Sequence, residues 1–199
     1  YSDRSILNSV KAGIRSIEHG NLLTEPSALA IKEAGAYLVP TIVTYEMISR
    51  LGKDFGIPEN NIRKINIARE KALVALETAY RAGAKIASGS DLLGPMQIYK
   101  ATELEIKAKV LSPMGAIVSA TRTNAELLNR QKDLGTLETG KLADLIVVNG
   151  DPLTDIKVLQ QYEEKISLIM KGGWIDRCGI SLEIRADSSY RIPSSRLWG

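Results

Sequence analysis

Over residues 1–91 two hydrophobic patterns take turns. Segments with apolar residues three or four apart predict amphipathic helices, and short apolar runs predict strands. Ile6, Leu7 and Val10 give residues 1–13 a helical stripe that Gly13 ends. A strand over 14–18 follows directly, then a polar loop over 21–25. Pro26 suits the first turn of a helix, where a missing N–H costs nothing. That helix carries Leu29, Ala30 and Ile31 and stops at Gly35. Residues 37–43 form a continuous apolar run, the pattern of a strand buried on both faces of a parallel sheet, although Pro40 cannot donate a ladder bond. Residues 44–59, with Gly52, Gly56 and Pro58, read as a loop with a short helix at 45–51. The longest helical pattern, 60–82, runs through Ile62, Ile65, Ala68, Ala72, Ala75, Leu76 and Ala79 to Gly83. A strand over 85–88 comes next and ends in Gly89-Ser90-Asp91.

Helical spacing resumes at 97–109, with Ile98, Leu104 and Ile106 as expected contacts. Ser112-Pro113 opens another helix with Ser112 as cap. Thr123-Asn124-Ala125-Glu126 has the form of a capping box opening the next. The character changes near residue 134. Gly135-Thr136-Leu137-Glu138-Thr139-Gly140 is turn-rich, 143–148 reads as a strand, and Asp151-Pro152 ends it. A further strand at 166–170 is followed by Gly172-Gly173, a two-residue hairpin turn into Trp174-Ile175. The polar stretch 180–199 has no core pattern and is expected to be poorly ordered.

Helix and strand alternate up to residue 91 with turns of one or two residues, which predicts an α/β fold with a parallel sheet and right-handed crossovers. The expected divisions are 1–133, 134–179 and the tail. Three strands are too few to close a barrel and would leave bare edges. The composition, 44% hydrophobic and 25% charged over 199 residues, is that of a globular domain. The net charge of +3 is scattered, with no basic block, so no nucleic-acid partner is expected. No apolar run is long enough to cross a membrane, and no leader sequence is evident. A single cysteine, Cys178, excludes an internal disulfide and fits a reducing, cytoplasmic compartment. The first residue is Tyr1, so the chain reads as a fragment or a processed product.

Ile17-Glu18-His19-Gly20 holds the only histidine. Ligands of parallel α/β units meet the carboxyl ends of strands, and His19 and Asp91 occupy two such ends. If the three strands pair in order, the two residues lie two strands apart, roughly 9–10 Å at the backbone, within reach of one metal-sized site. An imidazole nitrogen is a good ligand for zinc-class ions, and an aspartate can ligate a metal and also accept a proton from bound water. The other readings are plain ones. A histidine at a strand end also serves as a hydrogen-bonded structural residue, and Gly-Ser-Asp also serves as a turn or helix cap. Glu18, one residue from His19, points to the opposite face and reads as packing or a salt bridge. Ser90 lacks the frame of a nucleophile elbow. Cys178 has no second histidine to pair with, and glycine-rich phosphate loops are missing.

Three ordered stretches carry a resemblance. Gly13-Ile14-Arg15-Ser16-Ile17-Glu18-His19-Gly20 resembles the sixth-strand motif of the metal-dependent amidohydrolases. Ala87-Ser88-Gly89-Ser90-Asp91 resembles their eighth-strand motif. The stretch from Leu134 to Val148, with Asp151-Pro152-Leu153, is similar to the return into their small β-sandwich, and the Gly172-Gly173 hairpin to its last strands. The likeness covers about residues 5–177 and is nearest to the imidazolonepropionase-like hydrolases, which include Xaa-Pro dipeptidases and ochratoxin-type amidases. It implies the C-terminal part of a (β/α)8 TIM-like barrel beside part of a β-sandwich, and a site of one or two divalent metals, usually zinc. His19 matches the sixth-strand metal ligand. Asp91 matches the eighth-strand aspartate that binds metal and shuttles a proton. Tyr45 is placed by its position at the pocket for a small amide or dipeptide substrate. The family's first-strand His-x-His, its bridging fourth-strand residue and its fifth-strand histidine have no counterpart here. The chain alone is therefore expected to hold metal weakly, to lack efficient activity, and to need the N-terminal half of the barrel or self-association. The alternative is a non-catalytic α/β remnant with a binding or association role.

Overall fold

The computed structural model describes residues 2–179; the expected disordered tail lies outside the described residues. In chain order the first part runs α1 (Asp3–Lys11), β1 (Ser16–Glu18), α2 (Glu25–Glu33), β2 (Tyr37–Val39), α3 (Ile42–Leu51), α4 (Glu59–Ala82) and β3 (Lys85–Ile86). The three strands pair in parallel in the order β1-β2-β3, with Ile17 opposite Leu38 and Leu38 opposite Ile86. That row shares one face, because side chains alternate along a strand. It packs with Ile6 of α1, Ile31 of α2, Val43 and Met47 of α3, and Ala72, Leu76 and Ala79 of α4 into the main core. Tyr37, Val39 and Ala87 form the other face, where Leu127 packs. Arg15 and Lys85 flank the Tyr37 ring, the Lys85 ammonium 4.9 Å from its centroid.

A 3-10 turn (Gly94–Tyr99) leads to α5 (Thr102–Ala120) and α6 (Arg122–Leu127). Ser112 interrupts α5 with φ 72° and ψ 163°, and its Oγ accepts from Gly115 N, so it does cap a second helical segment before Pro113 turns the chain. The expected capping box is displaced. Thr121 is the N-cap of α6, and Thr123 lies inside the helix. Ile98, expected to face the core, is 70% exposed.

After a turn-rich stretch, β4 (Leu145–Val148), a second 3-10 turn (Ile156–Gln160), the short α7 (Tyr162–Lys165), β5 (Ile166–Lys171) and β6 (Trp174–Cys178) build a separate antiparallel sheet, order β4-β5-β6. Gly172-Gly173 makes the expected hairpin, with Lys171 opposite Trp174. Ile166 and Leu168 are buried, as are Ile156 and Val158 of the 3-10 turn, whereas Ile146, Val147, Trp174 and Ile175 are exposed. No helix among the described residues is long and apolar enough to cross a membrane.

Candidate functional site

Each parallel strand ends in a residue held in the left-handed region: His19 after β1 (φ 69°), Thr41 after β2 (φ 48°) and Asp91 after β3 (φ 52°). Positive φ is uncommon for residues with a Cβ and is a genuine outlier for a β-branched one. Such backbone costs on the order of 1–3 kcal/mol and persists only where surroundings impose it, often at functional sites. At β1 the cause is visible. His19 N still donates to Val39 O, and Gly20 follows with φ 66° in a place where a Cβ would stand 2.6 Å from Leu38 Cδ1. Only glycine lets the chain turn that closely over β2, and the turn swings the imidazole across the strand tips.

The imidazole lies between Thr41 and Asp91. His19 Nδ1 is 2.7 Å from Thr41 Oγ1, and Nε2 is 4.0 Å from Asp91 Oδ2. The Tyr45 ring meets the imidazole edge-on, with centroids 6.0 Å apart and planes at 87°, and is itself buried. Thr44 Oγ1 donates to the backbone oxygen of Asp91 at 3.1 Å. The His19 side chain is 25% exposed and that of Asp91 54%, so the pair faces an open surface. A gap of 4.0 Å is too long for a hydrogen bond, and two donors about 2.0–2.2 Å from one tetrahedral ion would stand roughly 3.3–3.5 Å apart, so the two side chains would close by about half an ångström to share an ion. An imidazole nitrogen and a carboxylate oxygen are donor types that zinc accepts. Among the described residues, no group of three or more His, Cys, Asp or Glu side chains is assembled to hold a metal. The donors present thus fit part of a divalent-metal site. Glu18 is exposed and accepts from Ser16 Oγ at 2.7 Å, in neither of its expected roles of packing or salt bridge.

A second layer fixes the loops that carry these groups. Asn124 clamps Ser88 from both sides, accepting from its N–H at 2.8 Å and donating Nδ2–H to its carbonyl at 2.9 Å. Lys107 is fully buried and donates from Nζ to Ala87 O at 3.1 Å and to Ser119 Oγ. Glu103, one turn earlier on α5 and 1% exposed, accepts from the backbone N–H of Val43 at 2.7 Å. Its other oxygen, Oε1, has no hydrogen-bond partner. Burial pushes the Glu103 carboxyl up to about 7, against the opposing pull of the Lys107 charge and the Val43 amide. Burial pushes Lys107 down to about 8, against the pull of Glu103.

These shifts set a pH dependence. Between 4.5, the ordinary value of Glu103, and about 7 the folded state holds a proton that the unfolded chain has released, so stability falls as pH rises through that window. From about 8 to 10.5 the folded state has lost a Lys107 proton that the unfolded chain keeps, and stability recovers. Melting temperature followed against pH is expected to dip between these windows. Glu103→Gln is expected to remove the decline on the acidic side.

His19, Asp91 and Tyr45 were all expected at the site from the sequence, and the structure gathers them at the strand ends. Thr41, at the end of β2, and Thr44, in the first turn of α3, join them through His19 Nδ1 and the Asp91 backbone oxygen. Sequence reasoning places neither Glu103 nor Lys107 at the site, and Asn124 only in a capping box. A Glu and a Lys four apart on a helix otherwise look like an exposed ion pair; the available signal was that both flank Ile106 on the buried side of α5.

Comparison with known proteins bears on this geometry. Residues 2–175 match the family model described as "Amidohydrolase family". The chain is 31% identical over 180 residues to Ochratoxinase of Aspergillus niger, covering 87% of this chain and 36% of that protein. It is similar to the crystal structure of a prolidase complexed with N-methylphosphonate-L-proline, at 38% identity and TM-score 0.86, over 89% of this chain and 44% of that one. A Xaa-Pro dipeptidase with bound methionine in its active site aligns at 33% identity and TM-score 0.79, over 88% of this chain and 43% of that one. The chain spans less than half the length of each of these relatives.

Proposed function

The chain belongs to the amidohydrolase family, and on that premise we propose that it is the C-terminal part of a metal-dependent hydrolase of C–N bonds in small amides or dipeptides. The observation that carries this reading is the convergence of His19 Nε2 and Asp91 Oδ2 to 4.0 Å from two strand ends, in a chain whose relatives include a prolidase and a dipeptidase. In this reading β1-β2-β3 is the last part of a (β/α)8 barrel, residues 1–133, and β4-β5-β6 is part of a β-sandwich, residues 134–179. The segments that complete both lie outside this chain.

His19 and Asp91 would hold one divalent ion, zinc by donor type, together with ligands from the rest of the barrel. Such an ion, when bound, would supply acidified water and polarise the scissile carbonyl. The roles of this chain's residues follow from their contacts. For Nε2 to ligate, Nδ1 keeps its proton and donates it to Thr41 Oγ1, which fixes the tautomer and the ring plane. Asp91 accepts the proton of the attacking water at its carboxylate and passes it to the leaving amine. Thr44 holds the Asp91 backbone while this happens. Tyr45, edge-on to the imidazole, walls the substrate side. The exposed Ile146, Val147, Trp174 and Ile175 and the open edges of β1 and β3 are surfaces that the N-terminal half, or a second copy in its absence, covers.

The test is a panel of Xaa-Pro dipeptides and N-acyl amino acids offered to the full-length protein. Hydrolysis that a chelator abolishes and zinc restores is the expected result. A metal-replete protein inert on the whole panel contradicts the reading and favours a binding remnant.

A further inference from the structure

Helix α3 begins with a missing cap. Thr41 is its N-cap residue, yet the side chain makes no capping bond, because its hydroxyl lies 2.7 Å from His19 Nδ1. Ordinary capping by a threonine needs an extended backbone at that position, and Thr41 is left-handed, φ 48° and ψ 41°. The first amides of a helix cannot be left unsatisfied in a buried place. Ile42 and Val43 are 4% and 0% exposed, and the Val43 N–H, the second amide of the helix, is taken by the carboxylate of Glu103, sixty residues away on α5. A negative group at a helix N-terminus is also favoured by the helix dipole.

We propose that Glu103 is a positioning residue: by capping α3 in place of Thr41, it leaves the Thr41 hydroxyl to fix the orientation and tautomer of His19. The inference rests on His19 being a ligand for its functional meaning, but not for its physical content. Without Glu103, the orphaned Val43 amide draws Thr41 into an extended backbone so that it caps its own helix. The strain at φ 48° is released and the hydroxyl leaves the imidazole. Lys107, bonded to Ala87 O ahead of Asp91, offsets the buried charge of Glu103 and ties the same helix to the third strand end.

The chain has one histidine, so nitrogen-15 labelling of histidine gives one imidazole whose shifts at fixed pH report tautomer and hydrogen bonding. The labelled chain is observed joined to an unlabelled N-terminal half. Thr41→Val defines the spectrum with the bond lost. Glu103→Ala is expected to move the imidazole nitrogens to the Thr41→Val positions, and Glu103→Gln, which still accepts from the amide, to leave them as in the parent. Glu103→Ala combined with Thr41→Val adds no further shift. Should Glu103→Ala not fold, Glu103→Leu with Lys107→Met removes both buried charges together and gives the Thr41→Val shifts, while Lys107→Met alone leaves the parent spectrum. Parent-like shifts on loss of the carboxylate, or a further shift beyond Thr41→Val in the combined variant, overturn the proposal. An inert, metal-free full-length protein that shows the expected pattern overturns the proposed hydrolysis and leaves this inference standing.

Discussion

Replacing Asp91 by asparagine is expected to lower kcat for the proposed hydrolysis by the full-length protein by about 10²–10⁴-fold, the range supplied by a positioned acid–base group, while its metal content changes little. Asparagine keeps an oxygen donor and the shape of the side chain. It also tolerates the left-handed backbone at φ 52°, as short polar side chains do. What it loses is the ability to take a proton from water. A backbone held by Thr44 Oγ1 at 3.1 Å gives the replacement no reason to move. Steady-state kinetics with metal analysis on the same samples separates the two roles. Activity within about threefold of the parent, at equal metal content, removes Asp91 from the proton path. Asp91→Ala, which also deletes the donor, is expected to lower both.

The second large effect concerns metal affinity. Structural zinc sites with four protein ligands bind with about 10–16 kcal/mol, or roughly 3 kcal/mol per ligand. His19→Ala in the full-length protein therefore weakens zinc binding by on the order of 10²-fold. Two donors without the rest of the site lose far more, on the order of 10⁴-fold or greater. The side chain of Asp91 is 54% exposed, so water competes freely for any ion held by this chain alone. Thr41 fixes the imidazole but adds no donor that could close the deficit.

The parallel order of the three strands, and the meeting of His19 with Asp91 across them, could be read from the sequence. Short apolar runs, tight turns and a strand-end His-Gly and Ser-Asp are local signals, and the strand order follows from connectivity. The apolar run over 37–43 divides at Pro40, and only Tyr37–Val39 is strand. Ile42, Val43 and Thr44 are β-branched and favour strands, yet α3 starts at Ile42, where a carboxylate from α5 takes the N–H of Val43. No local pattern announces a cap supplied from sixty residues away. The same holds for Lys107 and Asn124, whose partners Ala87 and Ser88 are fixed only by the tertiary fold. The expected capping box at Thr123 failed for a related reason. The chain leaves α5 at Thr121 and re-enters helix at once, so Thr123 never occupies a helix start, and Asn124 spends its amide on the third strand end. The positive φ of His19, Thr41 and Asp91 was equally hidden, since none of the three is glycine.

The proposed metal site has His19 and Asp91 as two of its ligands and is completed by segments outside these 199 residues. Its most direct test is zinc stoichiometry at matched free zinc for the full-length protein, its His19→Ala variant and residues 1–199 alone. At least one tightly held zinc per full-length chain, lost from the variant and from the isolated chain, is the predicted result. Tight stoichiometric zinc on the isolated chain, or full retention in His19→Ala, would contradict it.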